Sequence, residues 1–374
     1  MKVIPLPLLV GGGRRGGFIL IAPNYEGIIK RYREFLPEID DKHIITILEG
    51  NTPLIKSRNI HKIINPGIDI YFKYEGLNPT CSFKDRGMTM AVSKAVSEGS
   101  KAVICASTGN TSASASAYAA RAGIKSFVLI PEGKIAAGKL SQALVHGSIV
   151  MQIQGNFDEA LVITREIAGD YDVTLVNSVN PYRLEGQKTA SFEIIDELGF
   201  APDYHMLPVG NAGNITAYWN GYTEYFKAGK GGKLPKMIGF QAEGSAPIVL
   251  NHIVKEPHTV ATAIRIGNPA SWQKAVAARD ESGGLIEAVS DEDILKAYSM
   301  LASNEGIFCE PASAITLAGL IKLNERAFFK KGDVCVLTLT GHGLKDPGNA
   351  IKVSKEPIIV PCDKHSVLKV MGLA

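Results

Sequence analysis

Cysteine and tryptophan are scarce in this 374-residue chain, with five and two residues. Cys81, Cys105, Cys309, Cys335 and Cys362 form no CxxC pair and no even framework. A disulfide-stapled secreted fold is therefore excluded, and a reducing compartment fits best. A charge excess is missing too, since 40 Lys+Arg stand against 37 Asp+Glu, a formal net charge of +3. A protein that coats nucleic acid normally shows a large positive surplus, so no nucleic-acid partner is expected. No run of 18 apolar residues occurs, which argues against a membrane span. The opening MKVIPLPLLVGGGRRGG imitates a signal peptide as far as Val10, but two prolines interrupt the run and Arg14 and Arg15 lie on the wrong side of it. A cytoplasmic protein is expected.

What is present is average globular material, 45% apolar and 21% charged, enough for a sizeable core. The length suits about two domains. Glycine is the outlier, with 38 residues and no collagen-like period. From residue 68 onward, short β-branched runs alternate with segments of helical period. Strands are expected at 68–74, 101–107, 126–131, 148–153, 173–178, 203–210, 236–244 and 333–343. Between them, Met88, Ala91, Val92, Ala95 and Val96 mark one helical face, and further helices are expected at 111–122, 213–227, 291–304 and 311–329. This order predicts α/β architecture with crossover units and mostly parallel sheet, either two sheets or one long sheet with a cleft. Ligands in such folds sit beyond the carboxyl ends of the strands.

Chemistry-bearing residues gather at those ends. Glu75 to Gly87 (EGLNPTCSFKDRG) leaves a strand, turns at Asn78-Pro79 and starts a helix near Ser82, with Ser82 the expected N-cap and Asp85 completing a capping-box variant. Lys84 then sits in a first helical turn, where the helix dipole disfavours a cation and so lowers an amine's pKa. That is a requirement of a nucleophilic lysine, although a solvated lysine satisfies the position equally well. Two strand–loop–helix junctions, Ser107-Thr-Gly-Asn-Thr-Ser112 and Gly210-Asn-Ala-Gly-Asn-Ile-Thr216, present backbone N–H groups suited to an anion. Either one alone is also an ordinary βα turn built from Gly and Asn. Asn177-Ser-Val-Asn-Pro-Tyr-Arg183 adds amides, a hydroxyl and a guanidinium, the last suited to bidentate phosphate recognition. Thr340 precedes Gly-His342-Gly at the end of the last strand. His342 packs against its loop as readily as it catalyses and is not assigned a catalytic role.

Taken together, these motifs resemble the fold-type II (tryptophan synthase β-like) pyridoxal-phosphate enzymes. Gly210-Asn-Ala-Gly-Asn with NSVNPYRLEGQKTA is similar to the threonine synthase family within them. The resemblance runs from about Leu48 to Asp346. It implies pyridoxal 5'-phosphate attached to Lys84, with Asn110 at the ring hydroxyl, Thr340 at the ring nitrogen, and Gly210, Asn211, Ala212, Gly213 and Asn214 around the phosphate. It also implies that Ser107, Thr108, Asn110 and Thr111 face the substrate, the three hydroxyls holding its carboxylate, while Asn177, Ser178, Arg183 and Asn211 hold the phosphate of O-phospho-L-homoserine. The implied reaction is that of a carbon–oxygen lyase acting on phosphates, giving L-threonine and phosphate. No metal is implied. A related threonine or serine dehydratase, or a non-catalytic phosphate-binding homologue, is the alternative. By the same resemblance residues 80–176 form a small mobile domain inserted in a large one, 1–79 with 177–374. A homodimer is expected, Arg86 and Asp85 are expected in structural ion pairs, and residues 1–25 are the weakest candidate for packed structure.

Overall fold

The computed structural model describes residues 24–133, 137–354 and 356–373 and two short strands, β1 (Leu9–Val10) and β2 (Ile19–Leu20), which pair antiparallel. The rest of the N-terminal segment, and with it most of the expectation for residues 1–25, lies outside the described residues. The remaining strands are β3 (Leu54–Lys56), β4 (Asp69–Tyr74), β5 (Ala102–Ala106), β6 (Lys125–Pro131), β7 (Ile149–Ile153), β8 (Val173–Leu175), β9 (Tyr204–Pro208), β10 (Lys236–Ala242), β11 (Leu285–Val289) and β12 (Val334–Leu339). They build two sheets: six strands in the order β11-β10-β9-β12-β4-β3 and four in the order β7-β6-β5-β8. Every pairing in them is parallel except the antiparallel β3–β4 edge.

Parallel strands joined by helical crossovers are covered on both faces, which is why β5, β9 and β12 are mostly apolar and have every residue buried. On one side of the large sheet, Phe72, Met206 and Leu337 pack with Ile315, Leu317 and Leu320 of the Pro311–Asn324 helix. On the other, Leu207, Val209 and Val336 pack with Phe192, Ile215 and Tyr222 from the Pro181–Leu198 and Gly213–Lys227 helices. The small sheet has its own core, in which Val103, Cys105 and Val128 meet Met88 and Val92 of the Lys84–Ser97 helix and Tyr118 of the Asn110–Ala122 helix. Fully burying one such Val, Leu or Phe contributes roughly 1.5–3 kcal/mol, so each cluster supplies a substantial share of its layer's stability.

One junction decides where the site lies. The Pro181–Leu198 helix begins at Asn180, whose side chain accepts from Tyr182 N at 3.0 Å, with Pro181 in the first turn. It crosses the Lys84–Ser97 helix at Gly87 and Gly186. A Cβ on Gly186 would overlap the Arg86 carbonyl oxygen, and one on Gly87 would press on the Arg183 backbone. Only a pair of glycines lets these backbones touch.

The expected strands are present, with differences that have physical reasons. The run 148–153 is an edge strand, β7, half open to solvent rather than buried, because nothing pairs beyond it. The run 173–178 stops as β8 at Leu175, and the chain then turns into the Pro181 helix. The 291–304 helix is Asp291–Met300 followed by a π-turn at Leu301–Glu305. Strands β3 and β11 and the helix Trp272–Glu281 had no counterpart in the sequence reading. No helix among the described residues is long and apolar enough to cross a membrane.

Candidate active site

The chain leaves β4 through a short turn at Glu75–Leu77, held by Asn78 Nδ2 donating to Glu75 O at 2.9 Å. It reaches Cys81 in a left-handed conformation, φ +65°. There it meets the end of β12: Ser82 bridges Gly341 antiparallel, and Phe83 N donates to Thr340 O at 3.0 Å. The helix starts at Lys84. Ser82 is not its N-cap, because no side chain caps this helix and the buried Ser82 Oγ has no partner. Asp85 accepts instead from Thr80 N at 2.6 Å, Thr80 Oγ1 at 2.5 Å and Ser114 Oγ at 2.5 Å, which ties the turn to the Asn110–Ala122 helix. The expected ion pair holds for Arg86, with Glu75 and Glu193, and not for Asp85.

Lys84 keeps part of its surface open while its amine sits among protein atoms, 4.2 Å from the Phe83 ring centroid, with no hydrogen bond among the described residues. Burial holds the ammonium well below the ordinary lysine range; the positive charge of Arg183 adds to the effect and the Glu310 carboxylate opposes it. Asn110, first residue of its helix, donates from Nδ2 to both Glu310 oxygens, at 3.0 and 3.2 Å. Its Oδ1 is buried without a partner. The Thr340 hydroxyl lies 3.1 Å from Ser313 Oγ at the end of β12.

In the second loop Ala212 adopts φ +65°, and the helix that follows opens at Gly213, so its first N–H groups lack intrahelical acceptors. Both amide atoms of Asn214 are buried and unpartnered. Asn211 accepts from Ala270 N at 3.0 Å and donates to Ser178 Oγ at 3.1 Å, joining two of the expected phosphate ligands. Arg183 is fully buried, with Nη1 on Val176 O at 3.2 Å and Nε and Nη2 unpartnered. Burial alone lowers its pKa to about 10. Unpaired guanidinium N–H groups are costly to bury and mark a place for an anion. Asn177 differs, since its amide exchanges two 2.9 Å bonds with the backbone of Ala106 and so joins β5 to the chain beyond β8. Ser107 Oγ accepts from Gly109 N at 3.2 Å, and Thr108 and Thr111 are partly exposed beside it. His342 stacks on Tyr74 and accepts from Leu344 N at 3.2 Å, the packing role against its own loop.

Three residues of this neighbourhood escaped the sequence reading. Glu310 and Ser313 flank the start of the Pro311–Asn324 helix in the run CEPAS, where an acid directly before a helix-starting proline is the only sign. Lys345 donates to Thr80 O at 3.2 Å and bonds Gln142 Oε1 of the Ala137–Val145 helix.

A lysine with a lowered pKa, an orphaned amide acceptor, a hydroxyl at a strand end and an open helix N-terminus together suit a phosphorylated pyridine aldehyde. Comparison with known proteins agrees. Residues 45–341 match the family model described as pyridoxal-phosphate dependent enzyme. The threonine synthase of Synechocystis sp. is 56% identical over 358 residues, 94% of this chain and 92% of that one. That of Mycobacterium tuberculosis is 57% identical over 351 residues, 94% and 97%. Among solved structures, tomato threonine deaminase isoform 2 superposes with a TM-score of 0.70 at 20% identity, over 94% of this chain and 98% of that one, which establishes the fold. The chain belongs to the threonine synthases, within the pyridoxal-phosphate dependent enzymes of fold type II.

Proposed function

We propose that this enzyme converts O-phospho-L-homoserine and water to L-threonine and phosphate, and that Lys84 carries the cofactor and moves the protons. The observation that carries the reading is the pairing of two buried groups, the amine of Lys84 and the largely unsatisfied guanidinium of Arg183, on helices whose backbones touch at Gly87 and Gly186. A dehydratase needs no cation at a second phosphate; a phosphorylated substrate does.

Pyridoxal phosphate, when bound, supplies an electron sink that makes the protons on the substrate carbons next to it acidic. The residues supply the rest. Asn214 and the N–H groups heading the Gly213–Lys227 helix would hold the cofactor phosphate, Asn110 Oδ1 its ring hydroxyl, and the Thr340 hydroxyl its ring nitrogen. A hydroxyl at that nitrogen leaves it less protonated than a carboxylate would, which tempers the sink. Ser107, Thr108 and Thr111 would receive the substrate carboxylate at the head of the Asn110–Ala122 helix. Arg183 Nε and Nη2, with Ser178 and Asn211, would receive the substrate phosphate. Asn177 supports this group by fixing the Ala106 backbone. Released from the cofactor, Lys84 is neutral in its pocket and removes protons at Cα and then Cβ. After the phosphate has left, one of these protons goes to Cγ, which becomes the methyl carbon; water then adds its hydroxyl at Cβ, its other proton balancing the released phosphate, and Cα takes back the second.

We assign the smaller unit to residues 80–176, with Ile45 and Ile47 packed on its core, and the larger to 1–79 and 177–374. Closing the smaller unit over substrate would exclude water until the addition step. A homodimer and a cytoplasmic location complete the reading. The test is incubation with O-phosphohomoserine while phosphate and threonine are followed together. Equal release of both, lost in Lys84→Ala along with the cofactor's visible absorbance, is expected; keto-acid formation without threonine would defeat the reading.

A further inference from the structure

Glu310 is a carboxylate, 1% exposed, that the reaction just described leaves unused. Its place is built on purpose. The Cys309–His342 bridge and Glu310 N donating to Gly341 O at 2.9 Å lay its backbone along the end of β12. Position 341 has no side chain, and a Cβ there would overlap Glu310 Oε2. Burying a carboxylate at such a point costs several kcal/mol unless its charge is used.

Two uses are visible. Asn110 belongs to the helix that packs on the small sheet, whereas Glu310 heads a helix behind the large one. An ionised carboxylate only accepts hydrogen bonds, so it dictates that Asn110 turns Nδ2 toward it. The unpartnered Oδ1 is then the atom left for the cofactor. The second use is electrostatic. Phe83 N, next to Lys84, and Glu310 N donate to the adjacent carbonyls of Thr340 and Gly341, so the two residues meet at one strand end; among the described residues Arg183 disfavours protonation of the Lys84 amine and Glu310 favours it. Glu310 also faces the Cys309 and Cys81 thiols, whose pKa values burial raises, so neither adds a charge near neutrality.

We infer that Glu310 is a positioning residue of this active site, fixing the Asn110 amide across the two units and supplying the negative charge that counters Arg183 at Lys84. The inference rests on Lys84 carrying the cofactor. It assigns Glu310 no proton to transfer.

The experiment titrates the visible absorbance of purified holoenzyme with pH in wild type, Glu310→Gln, Glu310→Asp and Lys84→Ala. Gln keeps an acceptor for Asn110 and nearly the same shape but removes the charge. A positive nitrogen at Lys84 then loses its stabilising neighbour, and the midpoint for losing that proton falls by about one pH unit. Asp restores the charge at a shorter reach and returns the midpoint most of the way to wild type. Unfolding midpoints measured alongside separate this shift from a loss of fold. Gln and wild type titrating together, with Gln folded, would overturn the inference while leaving the attachment of the cofactor intact. Visible absorbance surviving in Lys84→Ala would instead overturn the reading beneath it.

Discussion

Two fully buried arginines sit on opposite sides of one helix crossing, and their surroundings are opposite. Arg86 donates to both oxygens of Glu75, at 2.7 and 2.8 Å, and both of Glu193, at 2.6 and 2.8 Å, with Thr52 and Thr189 taking further bonds. Lys73 closes the cluster at 2.7 Å from Glu193. Arg183 has a single carbonyl. The charges respond accordingly: the paired carboxylates outweigh burial and raise the pKa of Arg86, whereas burial, opposed only by the Cys105 thiol, lowers that of Arg183. A saturated arginine holds the fold. A starved one has N–H groups to spare, which the proposed function gives to an anion.

The contrast breaks most visibly at Arg86. Arg86→Leu leaves Glu75 and Glu193 buried without their partner, and we expect about 3–5 kcal/mol lost in urea unfolding. Arg183→Leu inverts the result. Stability stays level or rises, because an unsatisfied charge is removed, while kcat/KM for the phosphorylated substrate falls about a hundredfold through two lost charge-assisted bonds. Equal destabilisation by the two substitutions would erase the distinction. A milder probe is inorganic phosphate, which should raise the unfolding free energy of wild type by roughly 1–2 kcal/mol at concentrations several times its Kd and leave Arg183→Leu unmoved, as read by thermal unfolding.

A pH-dependent effect concerns a third buried polar group, one that carries no charge. His205 is bonded to Tyr222 Oη at 2.6 Å and Thr338 Oγ1 at 2.7 Å, and burial lowers its pKa to about 3. The unfolded chain takes up the proton near pH 6.5 and the folded one does not. The resulting stability is present above pH 6.5 and declines on acidification at about 1.4 kcal/mol per pH unit until roughly pH 3. His205→Asn should flatten the wild-type slope between pH 6 and pH 4 by about that amount, and an unchanged slope would show that the imidazole titrates in the fold.

The framework was readable because its signals are local. The runs at 68–74, 101–107 and 333–343 are short and mostly apolar, with β-branched residues at their centres, and each strand ends at a glycine-containing turn that could be picked out by eye. Strand β3 is three residues at an antiparallel edge and β11 is LIEAV, a mixed run, so neither carries a burial pattern. Among the site residues, Lys84, Asn110 and Thr340 announce themselves through their neighbours in the chain. Glu310 becomes informative only when β12 and the Pro311 helix bring it to Asn110, a contact that no spacing encodes. Ser82 misled for the converse reason: its residue type suits a cap, but the bridge to Gly341 turns its hydroxyl into the interior.

The glycine contact between the Lys84 and Arg183 helices has one more consequence. With no side chains between the two backbones there is no slack to take up, so a closing motion of residues 80–176 has to turn about this crossing rather than pull it apart. Lys84 and Arg183 each stand three residues before their glycine, close to that pivot, so the spacing of their backbones is kept while the outer parts of the two units swing. On the roles proposed for them, the hinge of the molecule is also the ruler against which the substrate's length is read.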